Sequence, residues 1–428
     1  MKLSNDRTKL ALSLSFNGLS KLPAILVITS ILPQIKESLG LHDYNSLLAA
    51  LAFGIFFTLP FGGVNVVARR LVGAQFGRGD QGGQADAFVG AVAITSALMT
   101  IACVLSLILS RTVFSSSMSH IAALAALVPI ISAGLNLSDN IRAAFNEHYV
   151  TAALLFAFQL IIYVPVIILH PAISGMFMAA LIMQAPLLLT STVQVSLLLI
   201  KRSYLLRGTF KAIPEILRGS LLFSIGEGAI SGASSASVFF LSSYGTASEG
   251  AWYGTFVRLF QSVISPLLLF MFPLSAFVAT KWPRITAQKR RLLITLSLVF
   301  AVLYGSVGAA ALAIGGPIFL QRLYHIMPIG SHLQVAAISI FFMGIMSEKA
   351  YGLVIYSIDH GRYLSFMTFV AVFIAALVAG LSAIWSTPLQ TVSIFGFVGG
   401  LCLLAVMLGD ALKRRGGESR PAADHAQL

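Results

Sequence analysis

Residues 252–272 read "WYGTFVRLFQSVISPLLLFMF". As a helix rising 1.5 Å per residue, such a run crosses the roughly 30 Å hydrocarbon core of a bilayer. One residue in it, Arg258, is a guanidinium. Either this stretch meets lipid all round, or one face of it lines something polar. The rest of the chain must be read to decide.

The whole sequence shares its character. The chain has 428 residues, 57% hydrophobic and 10% charged, with a mean hydropathy of +0.89. A soluble domain carries roughly 25% charged residues. This chain cannot cover itself with polar groups and reads as an integral membrane protein. Its apolar runs are continuous over about 20 residues, as helices need, whereas barrel strands alternate over about ten. Twelve runs stand out, near 10–33, 46–67, 86–110, 120–138, 149–170, 172–200, 219–242, 251–280, 292–316, 332–357, 363–385 and 390–411. The start, "MKLSNDRTKL", is basic and lacks a small-residue cleavage site, so it is expected to lead into a retained first helix.

With the N-terminus in the cytoplasm, 22 of the 28 Lys and Arg residues fall on the cytoplasmic side. An even number of spans returns the C-terminus to that side. The expected location is a bacterial inner membrane, multi-pass, with both termini cytoplasmic. The net charge of +13 then answers to anionic lipid headgroups, and no nucleic-acid partner is expected. Trp252 and Trp385 fall at outer boundaries and Trp282 at an inner one, where amphipathic rings sit.

The most basic connection is residues 201–218, "KRSYLLRGTFKAIPEILR". It divides the chain into an N-terminal six-helix bundle (1–200), a cytoplasmic connecting segment (201–218), a C-terminal six-helix bundle (219–411) and a flexible cytoplasmic tail (412–428). Both halves begin on one side, so they read as parallel repeats. A Phe-x-x-Pro pattern recurs in spans two and eight, at Phe57/Pro60 and Phe270/Pro273. The expected fold is an all-α membrane protein of about 12 transmembrane helices, in two six-helix bundles around a central cavity.

A charge at the bilayer centre costs about 2.5–3.5 kcal/mol on insertion scales, so such residues face a cavity or a partner. Lys21 lies roughly 16 Å into the first span, beside Pro23. Arg258 lies roughly 9 Å beyond Trp252, with Gln261, Ser262 and Ser265 following at helical spacing. The alternative for Arg258 is snorkelling to the outer interface. Glu227 lies in the small-residue stretch "GEGAISGASSAS", as a structural carboxyl or a proton or sodium site. Glu348 and Lys349 are adjacent in span ten and point about 100° apart, so each pairs across helices or serves transport. Asp139, Arg142, Glu147 and His148 surround a connection and read as a solvated face.

No phosphate-cradling glycine loop is present; "GRGDQGG" at 77–83 lacks the lysine and the spacing. No His/Glu cluster has metal-ligand spacing, and no loop is long enough to house catalytic carboxylates. Cys103 and Cys402 both fall in apolar runs and argue for neither a disulfide nor a metal. The chain therefore reads as a transporter rather than an enzyme, with no catalytic residue, metal site or cofactor, apart from Na+ or H+ as coupling ions.

The six-plus-six pattern, "ARRLVGAQFGRGDQGGQADAF" after span two and "FKAIPEILRGSLLFSIGEG" at the entry to the second bundle resemble the multidrug/oligosaccharidyl-lipid/polysaccharide (MOP) exporter superfamily. Within it the chain looks most like Wzx-type lipid-linked oligosaccharide flippases, with basic residues in spans one and eight. The resemblance implies a flippase that moves an undecaprenyl-pyrophosphate-linked oligosaccharide across the inner membrane by alternating access, for surface polysaccharide assembly. Lys21 and Arg258 would hold the headgroup, Asn17 and Gln261 would meet sugar hydroxyls, and Glu227 and Glu348 would couple ions or protons. Lys349 would balance charge. The expected partners are the lipid-linked oligosaccharide and membrane lipids, with no polysaccharide polymerase identified. The competing branch is the multidrug and toxic compound extrusion antiporters, coupled to cations through membrane carboxylates. They typically carry a carboxylate in span one, where this chain has Lys21.

Overall fold

The computed structural model describes Ser15, Leu19 and residues 25–114, 119–145, 147–281, 286–327, 329–359 and 362–417. Within these, a few residues, among them Glu227 and residues 265–281, are described by backbone alone.

Helices account for nearly all of it, and no strand occurs among the described residues. The first helix, α1, is described over 25–39 and includes a π-helical turn at Val27–Ile31. Gly40 then adopts φ 74° and ψ 169°, a region only glycine enters without strain, and turns the chain directly into α2. Helix α2 runs to Phe56, breaks at Phe57 and Thr58, and resumes as Leu59–Arg78. The bend is 48°. Pro60 stands in the first turn after it, where its missing N–H costs nothing.

The remaining helices are α3 (Gln81–Val113), α4 (Ser119–Leu135, continued by Leu137–Ala144), α5 (His148–Leu169), α6 (Met176–Lys201), α7 (Ile213–Tyr244), α8 (Ala247–Lys281), α9 (Ala287–Tyr324), α10 (His332–Asp359), α11 (Arg362–Ser382) and α12 (Pro388–Gly417). The glycine-rich "GRGDQGG" is a turn between two helices. Gly79 caps α2 at φ 74°, and the Asp80 carboxylate accepts the Gly83 N–H at 2.9 Å to cap α3. By length and hydropathy alone, eight of the described helices can cross a membrane, or nine with the bent α1–α2 run counted as one. Dividing that run at Gly40 and adding α7 and α8, of 32 and 35 residues, completes twelve.

In the first half α4 packs against α2, α3 and α6, and α5 rests on α6. In the second half α10 packs against α9 and α12, and α11 against α12. Between the halves, α7 runs along both segments of α2. Helix boundaries differ from the sequence reading mainly by extension. The second span starts at Leu41 rather than near 46, and the seventh at Ile213 rather than 219, because helical structure continues past the apolar run. Trp252 departs from expectation. It is fully buried and stacked on Phe256 at 5.1 Å, where an interfacial ring was expected. The cause is Phe342 on α10, which packs against Phe256 and Phe260 and draws this part of α8 into the core. Trp385 is 83% exposed, as a boundary residue is. Trp282 lies outside the described residues.

Candidate functional site at the junction of the bundles

The two halves meet through polar groups and glycines. Near the Gly40 turn, the Tyr44 hydroxyl of α2 lies 3.0 Å from Thr255 Oγ1 of α8. Thr255 spends its own proton on the Ala251 carbonyl at 2.7 Å, so Tyr44 is the donor. The Asn45 amide donates to the Ser242 carbonyl of α7 at 3.3 Å. Gly250 of α8 lets Asn45 and Ser242 approach; a Cβ there would overlap both. Tyr324, at the end of α9, donates to the Ile28 carbonyl of α1 at 2.6 Å. Three helix pairs thus close this end across the halves.

At the opposite, basic end the contact is narrower. Gly63 of α2 lies against the Ser220 carbonyl and Ser224 of α7, and Ser224 donates to the Pro60 carbonyl at 3.3 Å. Arg70 and Glu215 sit 3.8 Å apart, both well exposed.

Arg258 lies on this junction. It is partly buried and lies one helical turn beyond Thr255, the residue of α8 that meets Tyr44 of α2. Its Nη1 donates to Gln261 Oε1 at 3.2 Å, so these two residues share one face of α8. Ser262 is partly buried beside them. Lys21 and Asn17, expected to face the same space, lie outside the described residues. Glu227 stands on α7 and is described by backbone alone.

Glu348 and Lys349 sit elsewhere. Glu348 is fully buried in the second bundle, and both residues are engaged with neighbours. One turn on, the Tyr351 hydroxyl donates to Asp410 of α12 at 2.9 Å, and Arg414 Nε donates to the same carboxylate oxygen at 2.6 Å. Asp410 was not anticipated. Its signal is present in "GDALKRR", an Asp/Arg pair at i, i+4 that closes an apolar run.

A second polar cluster overturns the reading of Asp139, Arg142, Glu147 and His148 as a solvated face. Arg142 and Glu147 are buried. Glu147 accepts Lys201 Nζ at 2.7 Å and Arg202 at 2.8 and 3.1 Å, and pairs with Arg142 at 3.3 Å. Arg142 also donates to the Gln194 carbonyl at 3.3 Å. His148 Nδ1 lies 3.0 Å from Asp139. The Arg202 guanidinium lies 3.8 Å above the Phe145 ring. Burial alone raises the Glu147 pKa, but hydrogen bonds from Arg202 and Lys201 outweigh it and hold the carboxyl down to about 2. The end of α6 covers the connection between α4 and α5 and excludes water from it. No group of His, Cys, Asp and Glu able to hold a metal occurs among the described residues.

The fold is that of the MATE transporters, twelve helices in two bundles. No family model matches the chain, and no curated protein does. Solved structures do. An inward-facing multidrug resistance MATE family transporter of the MOP superfamily aligns at TM-score 0.61 and 15% identity, over 95% of this chain and 100% of its own. A MOP superfamily transporter from Pyrococcus furiosus, described as having a binding pocket of reversed polarity that suggests a different function, aligns at 0.61 and 16%, over 96% and 95%. A Vibrio cholerae MATE transporter mutant aligns at 0.60 and 11%, over 97% and 99%.

Proposed function

We propose that the chain is an alternating-access transporter for an anionic, lipid-linked cargo, and that the cargo is an undecaprenyl-pyrophosphate-linked oligosaccharide. It would move from the cytoplasmic to the periplasmic leaflet of a bacterial inner membrane. The observation that carries this reading is Arg258. A guanidinium is held beside Gln261, one turn from the Thr255 of α8 that meets Tyr44 of α2, where two bundles rocking against each other would expose it to one side and then the other. A pyrophosphate crossing a low-dielectric region needs fixed cations, and guanidinium pairs with phosphate oxygens bidentately. The Pyrococcus furiosus neighbour supports the idea that this fold tolerates pockets of differing polarity.

The buried carboxylates Glu348 and Asp410 favour a second reading, a cation-coupled multidrug antiporter. Purified protein in liposomes separates the two. The proposal expects translocation of a labelled lipid-linked sugar, reduced about tenfold or more in Arg258→Ala and less in Arg258→Lys, the scale of a charged hydrogen bond. Export of cationic dyes driven by a sodium or proton gradient, with no sugar-lipid movement, would establish the antiporter instead.

A further inference from the structure

The connection between the bundles is not a slack linker. Three fastenings tie it to the first bundle. Arg202 and Lys201 hold Glu147 at its start. The Tyr204 hydroxyl donates to Gln84 Oε1 of α3 at 2.6 Å. Thr209 donates to Asp86 Oδ1 through its backbone N–H at 2.6 Å and through its hydroxyl at 2.9 Å. Between these, Leu205 is fully buried, and Gly208 lies so close to the Ala85 backbone that a Cβ would overlap its carbonyl. Two short 3-10 turns, Ser203–Arg207 and Phe210–Ala212, are thereby held in one orientation.

Their outer face has a definite chemistry. Leu206 and Phe210 are 62% and 63% exposed. Arg207 and Lys211 follow each of them directly and are exposed as well. Leu217 and Leu221 continue the apolar face along the start of α7, with Arg218 beside them. The carboxylate in the segment, Glu215, faces Arg70. Alternating large apolar and basic side chains on a rigid surface match a bilayer interface, where rings and leucines enter the acyl boundary and cations meet phosphates. Water alone would leave both apolar groups unsatisfied.

We propose that residues 203–212 form a membrane-surface foot, by which the first bundle docks onto a leaflet of anionic phospholipid. All three fastenings of the foot are to the first bundle, so residues 203–212 are held in a fixed position on it up to Ala212, beyond which α7 begins. This inference stands independently of the cargo.

The test uses the full chain with Cys103→Ser and Cys402→Ser, labelled with bimane at Phe210→Cys, an exposed position. It is reconstituted into vesicles of phosphatidylcholine alone or with graded phosphatidylglycerol, some lipids carrying a nitroxide high on the acyl chain. Quenching by the lipid nitroxide should rise with the phosphatidylglycerol fraction. Adding Arg207→Gln and Lys211→Gln should remove most of the rise in quenching with phosphatidylglycerol, from two lost cations at an anionic surface. Quenching only by aqueous iodide would overturn the foot. Equal lipid quenching in both vesicle types, unmoved by the charge variant, would overturn recognition of anionic lipid.

Discussion

Glu147 shows how one residue organises its surroundings. It is the carboxylate on which Arg142, Lys201 and Arg202 converge, so neutralising it strands three cations, Arg142 buried among them. Glu147→Gln should lower stability by about 3–5 kcal/mol, the range for breaking a buried pair, read as a fall in unfolding temperature in detergent. Lys201→Gln should cost far less, because its side chain is 61% exposed. The pH dependence follows from the depressed pKa. The Glu147 contribution is complete above the ordinary carboxylate value and is lost as pH falls towards about 2. The stability gap between the native protein and Glu147→Gln should therefore be constant above about pH 5 and close on acidification. A gap that widens in acid would contradict the assignment. This cluster was illegible in the sequence because Lys201 and Arg202 lie more than fifty residues from Glu147, and only the fold brings them over it.

At the scale of the element, the seam between α2 and α7 depends on small residues. A Cβ at Gly63 would meet backbone of Ser220, which cannot swing aside, whereas one at Gly62 meets nothing. Gly63→Val should cost about 1–3 kcal/mol, as overpacking does, while Gly62→Ala should be neutral or slightly stabilising. Thermal unfolding of the pair checks both, and equal losses would sink the packing argument. The helices themselves were largely readable, because long apolar runs leave little freedom in a bilayer. Their ends were less so. The polar stretch "QIKES" at 34–38 stays helical up to Gly40, and Ile213 to Arg218 is already helix although it carries Glu215 and Arg218. Trp252 was misplaced for a related reason. Its burial depends on Phe342 of α10, a partner that local sequence does not reveal.

Across the whole molecule, the two ends of the junction are unequal. Tyr44–Thr255, Asn45–Ser242 and Tyr324–Ile28 close the end near Gly40. The proposed alternating access would require these to part. Cysteines at Asn45→Cys and Ser242→Cys, with Cys103 and Cys402 replaced by serine, should form a disulfide under oxidation and abolish transport, with activity restored by reductant. Undiminished transport by the cross-linked protein would argue that the halves do not separate there. The twelve-helix, two-bundle plan could be inferred from hydropathy and basic-residue asymmetry. Of the proposed site, only Arg258 and Gln261 are seen together, and the buried Asp410 went unnoticed at the end of an apolar run. Gly40 carries a practical corollary. A single residue makes the break between α1 and α2, leaving no loop for a protease to cut or an epitope insertion to occupy. Topology mapping by inserted tags should fail at that bend, and a reporter fused ahead of the first helix is the workable route.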